Sequence, residues 1–400
     1  HKHSPWLTPM PETADGGLMY DCYASVEVLQ EGMKVIGWEK RNPVPGGNPG
    51  RFKRGFGVGM SQHHAGRVGY REGEVGFEKI LGARGAGGGG AGAEGAAFQA
   101  EIVVDMAGTV NLHFGQPDSG TNHGTSMAIL VAEILGFTTL DRIRLTWGDS
   151  ALAPPSPGWH SGLTTQLQGG ALNDAADKLR KDLLARGSKV LGVDAGTLAV
   201  KDGVISAKDA PAKRTTFAAL VKVNESPIRM AGRAIHPGSI GRALNRGIAA
   251  CFTEVEVDTW TGDWRFLNVA HCHDTGNVIN PLTGQGDMHG SLVESTQLAT
   301  EAIPWDREFP GTRHYAVGFL SYRLPTILDV PEQTDVFINS LEPRWFFGCK
   351  GFAETAVGAV PGSIANAIYN ACGVRIREHP ITREKIIAGL KALRAQGRTA

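Results

Sequence analysis

Residues Cys251 to Gly276 read CFTEVEVDTWTGDWRFLNVAHCHDTG. Apolar and polar residues alternate on both sides of Thr261-Gly262-Asp263, a turn signal, so the segment predicts a β-hairpin, the clearest in the chain. The same two-residue period runs through Phe98 to Gly115, FQAEIVVDMAGTVNLHFG, and predicts two strands joined near Ala107 and Gly108. Arg54 to Tyr70, RGFGVGMSQHHAGRVGY, adds short β-compatible pieces broken by glycine. A glycine cluster from Gly82 to Ala97 separates these two regions and reads as a loop with no place in a core.

Helical periodicity takes over elsewhere. After Gly124, residues Met127, Leu130, Val131, Ile134 and Leu135 share one face, and Gly136 is placed to cap the end. Further helices are expected from Ala171 to about Arg186, from an N-cap at Ser363 to a C-cap at Gly373, and over Ile381 to Leu393. Strands and helices mix without the steady alternation of a doubly wound sheet, so the fold class is α+β. A chain of 400 residues with 42% hydrophobic content holds enough apolar side chain for more than one compact core.

Composition excludes several roles. Forty basic and forty acidic side chains cancel, and no Lys/Arg block supplies a local field, which argues against nucleic acid as a partner. No apolar run approaches the roughly 18 to 20 residues of a membrane span, and the opening HKHSPWLTPMPETADGG lacks the apolar centre of a signal peptide. The five cysteines are scattered without zinc or iron–sulfur spacing, so a reducing, cytoplasmic compartment is expected, with periplasmic export on a partner's signal as the alternative. His271 and His273 share a strand face but lack a third ligand at fixed spacing. With His289 they read as core or solvated residues, and no protein side chain is expected to bind metal.

One carboxylate stands out. In FGCKGFAETAVGAVPGS, Phe347 to Ser363, Glu354 is flanked by Gly, Ala and Val. Dry surroundings would make it a stronger base than a carboxylate in water; pairing with Lys350 or an arginine is the other reading. Three glycine-rich stretches lead into predicted helices: GQPDSGTNHGTS, GWHSGLTTQLQGGAL and GCKGFAETAVGAVPGS. Helix N-termini favour anions, so together they could hold a phosphorylated cofactor.

These same residues carry a family resemblance. PTILDVPEQTDVFINSLEPRWFFGCKGFAETAVGAVPGSIANAI resembles the end of the molybdenum-binding large subunit of the xanthine dehydrogenase and aldehyde oxidoreductase family. CFTEVEVDTWTGDWRFLNVAHCHDTGNVINP resembles an inner segment of it, and IGWEKRNPVPGGNPGRFKRGFGVGM the stretch that introduces its second half. The resemblance runs from about Cys22 to about Ala388. It implies the molybdopterin-binding fold of that family, with two intimately packed α+β subdomains at 54–245 and 246–400 after a connecting segment at 1–53.

It further implies Glu354 as the base that takes a proton while water-derived oxygen enters a heteroaromatic, aldehyde or related activated carbon. Gly120, Thr121, Asn122 and Thr125 fall on a pterin loop, with Thr121 where glutamine is usual. His160, Ser161, Gly162 and Thr164 fall on a segment under the molybdenum, and Ala353 contributes backbone. A second family glutamine falls at Asp287, or at Gln285 if the register slips. Met60, Ser61 and His64 fall on the substrate funnel, where the pair His63 and His64 points to a polar substrate group or a proton donor.

The implied cofactor is molybdopterin with molybdenum, in its cytosine dinucleotide form, with [2Fe–2S] clusters and FAD on partner subunits. The family's first-half loops have no counterpart before Cys22. A companion chain carrying that half is therefore expected, beside an iron–sulfur and a flavin subunit. Two alternatives stay open: a related hydratase, alcohol dehydrogenase or acyl-CoA ring reductase, and a cofactor-free structural subunit.

Overall fold

The computed structural model describes residues 19–20, 24–67, 70–71, 97–156, 158, 162, 164–235, 243–301, 324–341, 346–351 and 353–397. Its first elements are β1 (Met19–Tyr20), α1 (Ser25–Ile36), β2 (Phe52–Arg67), β3 (Tyr70–Arg71), β4 (Ala97–Val104), β5 (Val110–Phe114), α2 (His123–Leu135) and β6 (Ile143–Trp147). A π-turn at Thr164–Gln168 leads into α3 (Gly169–Leu191), followed by β7 (Leu198–Lys201), β8 (Val204–Ala207), β9 (Ala210–Thr216), α4 (Phe217–Asn224) and β10 (Ile228–Ile235). The hairpin β11 (Ala243–Asp258) and β12 (Trp264–Asp274) comes next. Last are α5 (Pro281–Thr300), β13 (Gln333–Ile338), α6 (Ala353–Cys372) and α7 (Arg383–Ala395).

The α+β class is the observed one. One sheet runs β1-β11-β12-β13 with β2 also on β11, a second runs β3-β10-β4-β5-β6, and β7-β8-β9 forms a third. The predicted hairpin is antiparallel, pairing Cys251 with His271 and Val257 with Trp264. Alternation sorts its side chains as expected for a sheet covered on both faces. Ala249 and Cys251 face α6, whereas Ala250 and Phe252 join Val28 and Ile36 of α1. The second sheet has its own core, with Phe98, Ile102 and Leu112 packed on Met127, Leu130 and Leu135 of α2 and on Leu172 and Leu179 of α3.

Helix α2 ends where the sequence placed it, with Gly136 in the left-handed region at φ 70°. Residues 54 to 67 form one continuous strand rather than short pieces. Strand β2, grouped by the sequence division with residues 54–245, hydrogen-bonds along β11 from Phe52 to Arg67. The glycine cluster before Ala97 lies outside the described residues.

The largest departure from expectation is α6. Its N-cap was expected at Ser363, yet the helix begins at Ala353 and passes through Pro361. Proline removes the N–H that would reach the Val357 carbonyl; Ser295 Oγ of α5 donates to that carbonyl instead at 2.8 Å. Ser363 is buried in the helix interior and donates back to the Val360 carbonyl at 2.7 Å.

What permits this helix is glycine on β2. Gly55, Gly57 and Gly59 point at α6, where an added Cβ would overlap backbone atoms of Ala359, Ser363, Ala367 and Ala371. Strand and helix therefore meet backbone to backbone. The contact is fixed laterally by Asn366 Nδ2, which donates to the Val58 carbonyl at 2.8 Å, and by Phe56 N–H, which donates to Asn370 Oδ1 at 2.9 Å. These amides occupy strand-edge groups that would otherwise be exposed.

Two stability predictions follow from this core. Gly57→Ala should cost at least about 1–3 kcal/mol in chemical denaturation, because the obstructing atoms are backbone and cannot rotate away; Gly290→Ala, whose Cβ would enter open space, should not destabilise. His271 is fully buried beneath α6, and burial lowers its pKa from 6.5 to about 4, against weak opposition from the Ala356 and Met288 backbone. The unfolded chain thus binds this proton more readily. Its contribution is whole above about pH 6.5 and falls by about 3 kcal/mol as pH drops toward 4, a loss that His271→Gln should remove from the pH–stability curve.

Candidate cofactor and active site

Four helix starts converge on one cavity of about 150 Å³, which opens into a groove of about 680 Å³. Ser119, Thr121, His123 and Ser126 come from the start of α2; Gly162, Thr164 and Thr165 from the turn before α3. Asn277 to Asn280, Thr283 and Asp287 come from the start of α5; Lys350, Gly351, Ala353, Glu354 and Thr355 from the start of α6. The positive end of the helix dipole favours anions at each, although at α5 the Asn280 side chain caps the Thr283 N–H. The α2 N-terminus has no side-chain cap, since Asn122 Oδ1 accepts from Thr125 Oγ1 at 3.0 Å.

A buried ion pair holds two of these starts together. Lys350 Nζ donates to Asp274 Oδ2 at 2.9 Å and to Ser340 Oγ at 2.7 Å, with both charged side chains fully buried. Ser340 Oγ also donates to Asp274 Oδ1, and the Ala24 N–H donates to Asp274 Oδ2 at 2.9 Å. Beside this cluster, Lys350 N–H donates to the Thr275 carbonyl at 3.0 Å and Asn277 N–H to the Gly348 carbonyl at 3.0 Å. The DTGN stretch and the GCK stretch are thus one structural unit under the cavity.

Glu354 lies in the first turn of α6, and its surroundings differ from the expectation. Its side chain is 50% exposed. The reason is helical period: Ala356, Ala359 and Val360 are buried on one face, which leaves Glu354 on the other. Apolar neighbours in sequence therefore do not dry it. Nor is Lys350 its partner, since that ammonium belongs to Asp274. His63 of β2 stands beside it, with Nδ1 at 3.6 Å from Glu354 Oε2.

Other predicted residues divide. Thr121, Gly162, Thr164, Asp287 and Ala353 line the cavity, and Gly120 and Asn122 line the groove. Thr125 bonds Asn122 at the mouth. Met60 and Ser61 are not among the lining residues; Ser61 Oγ donates to the Thr355 carbonyl. His64 pairs with Arg246 in the strand ladder, but its side chain, like His160 and Ser161, lies outside the described residues.

Sequence reasoning missed His123, Asn277 and Thr283 as site residues, and marked His63 only as one of a pair with His64. The first three could have been found by treating every helix start in a glycine-rich context alike. Burial pushes Asp287 up to about 7, helped by the Asp118 charge, and lowers His123. Both groups are thereby biased toward neutrality, which lessens repulsion of an anion at Asp287. His123 Nε2 is buried without a partner among the described residues, a polar atom left over on the cavity wall.

Residues 31–331 match the molybdopterin cofactor-binding domain. The chain belongs to that family. It is 25% identical over 364 residues to the xanthine dehydrogenase molybdenum-binding subunit of Escherichia coli O157:H7, covering 90% of this chain and 45% of that protein. It is 26% identical over 368 residues to the aldehyde oxidoreductase molybdenum-binding subunit PaoC of Escherichia coli strain K12, covering 90% and 44%. The chain thus spans about half the length of these curated relatives. CO dehydrogenase from Oligotropha carboxidovorans shares the fold, with a TM-score of 0.75 and 20% identity over 95% of this chain and 46% of that one.

The residues present fit a molybdopterin: helix starts for its anionic groups, that of α2 without a side-chain cap, polar side chains for its ring, and the lining residue His123, whose Nε2 is buried without a partner among the described residues. Among the described residues no group of three His, Cys, Asp or Glu side chains is arranged to hold a metal ion. Lys350→Met should cost about 3–5 kcal/mol in equilibrium denaturation, because it leaves Asp274 charged and buried without its cation.

Proposed function

We propose that this chain is the molybdopterin-binding catalytic part of a multisubunit hydroxylase or dehydrogenase acting on a heteroaromatic, aldehyde or related activated carbon, with Glu354 as general base. The observation that supports this reading most is the cavity where four helix starts meet, with Glu354 among its lining residues. When bound, the cofactor supplies a molybdenum centre that takes up two electrons as water-derived oxygen enters the substrate.

This chain's part is to bind, orient and move a proton. The starts of α2 and α5 and the turn before α3 present N–H donors to the anionic groups. Thr121, Ser126, Thr164 and Thr283 offer hydroxyls, and the groove beside Gly120 and Gly290 offers length for the cytosine dinucleotide form. Glu354 accepts one proton per turnover from the reacting oxygen. Its half-exposure in this chain suits a site completed by the companion half of the subunit, with water excluded only on assembly. Iron–sulfur and flavin subunits would then receive the electrons. Among the described residues no helix is long and apolar enough to cross a membrane.

The test is metal content and turnover of the assembled complex. Equimolar molybdenum, a strict need for an electron acceptor, and a loss of about 10² to 10⁴ in rate on Glu354→Gln are expected. A gently purified complex without molybdenum would favour a structural subunit. Turnover without an acceptor would favour a hydratase, and full activity of Glu354→Gln would remove the base assignment.

A further inference from the structure

The odd-numbered residues of β2 run along α6 in register. Gly55, Gly57 and Gly59 abut its backbone, Ser61 donates to the Thr355 carbonyl, and His63 comes next, at Glu354. The last step of this series places Nδ1 3.6 Å from Oε2, ion-pair distance and slightly beyond a direct hydrogen bond. The imidazole is 39% exposed, so the same ring that faces the carboxylate also reaches solvent. The strand–helix contact holds the backbones that carry both groups side by side.

We propose that His63 is a positioning and relay residue for Glu354, an inference that rests on Glu354 being the base. A base that gains a proton each turnover must lose it before the next, and a cavity filled by cofactor and substrate closes the direct path to water. The Glu354 O–H bond breaks as the His63 Nδ1–H bond forms, giving a carboxylate beside an imidazolium. The Nε2 proton then passes to water and leaves a neutral ring protonated at Nδ1; exchange of that proton for one on Nε2 through solvent restores the accepting Nδ1 before the next turnover. No electrons change hands, and one proton leaves the site. While the ring is charged it also attracts the carboxylate and limits its rotamers.

Two experiments test this. In the full chain labelled with ¹⁵N-histidine, Glu354→Gln is expected to move the His63 ring-nitrogen resonances; unchanged resonances would overturn the pairing. In the assembled, molybdenum-loaded enzyme, His63→Ala is expected to lower kcat about ten-fold or more with KM within about two-fold, and added imidazole to restore part of the loss. An effect confined to KM, a loss that imidazole does not rescue, or no loss would overturn the relay. If the alanine variant does not fold, His63→Gln keeps the size and polarity of the ring without its relay, and the same fall in kcat is expected; wild-type kcat there overturns the relay. Glu354→Gln is assayed alongside. Full turnover in that variant refutes the base assignment itself, whereas an inactive Glu354→Gln beside an unaffected His63→Ala refutes the relay alone.

Discussion

The contact between the bare backbone of Gly55, Gly57 and Gly59 and the small-residue face of α6 governs the architecture around the site. Side chains on that face of β2 would push the helix outward by the thickness of a methyl layer. Ala359, Ser363, Ala367 and Ala371 recur every four residues, so one face of the helix stays small enough for the approach. The helix is then held on its strand over its whole length, and its N-terminal turn, with Glu354, projects at the cavity. Pro361 is tolerated because α5 supplies Ser295 to the freed carbonyl.

A second constraint acts at the entrance to α6. The Asp274–Lys350 pair ties the end of β12 to the segment entering α6, so the starts of α5 and α6 are placed by the same buried charges. Such a pair adds little net stability, since desolvation offsets most of its attraction. Its value is specificity of arrangement, because each carboxylate oxygen and the ammonium have fixed partners. The cavity is thus bounded by two rigid joints, while its own wall carries groups biased toward neutrality and, at the start of α2, N–H donors without a side-chain cap.

Much of this was legible beforehand. Alternation alone marked the hairpin at 251–276 and the pair of strands at 98–115, and Gly136 marked the end of α2. The family motifs pointed to Glu354 and to the Thr121, Gly162 and Asp287 segments. What escaped was three-dimensional. Pro361 and Ser363 look like a helix start because the sequence does not display Ser295, which offsets the proline from another helix. Gly, Ala and Val around Glu354 look like dry surroundings because a linear run hides which side of the helix each occupies. The sequence marks His63 and His64 only as a pair, because the strand's side facing α6 becomes evident only when β2 is seen against the helix.

The central claim is that these joints present Glu354 to a molybdopterin bound where the helix starts converge. An experimental map of the assembled, cofactor-loaded complex tests it most directly. Density for the pterin is expected bounded by Ser119–Ser126, Gly162–Thr165, Asn277–Thr283 and Lys350–Thr355, with the Glu354 carboxylate turned toward it. Density lodged elsewhere, or a carboxylate pointing away from it into bulk water, would contradict the account.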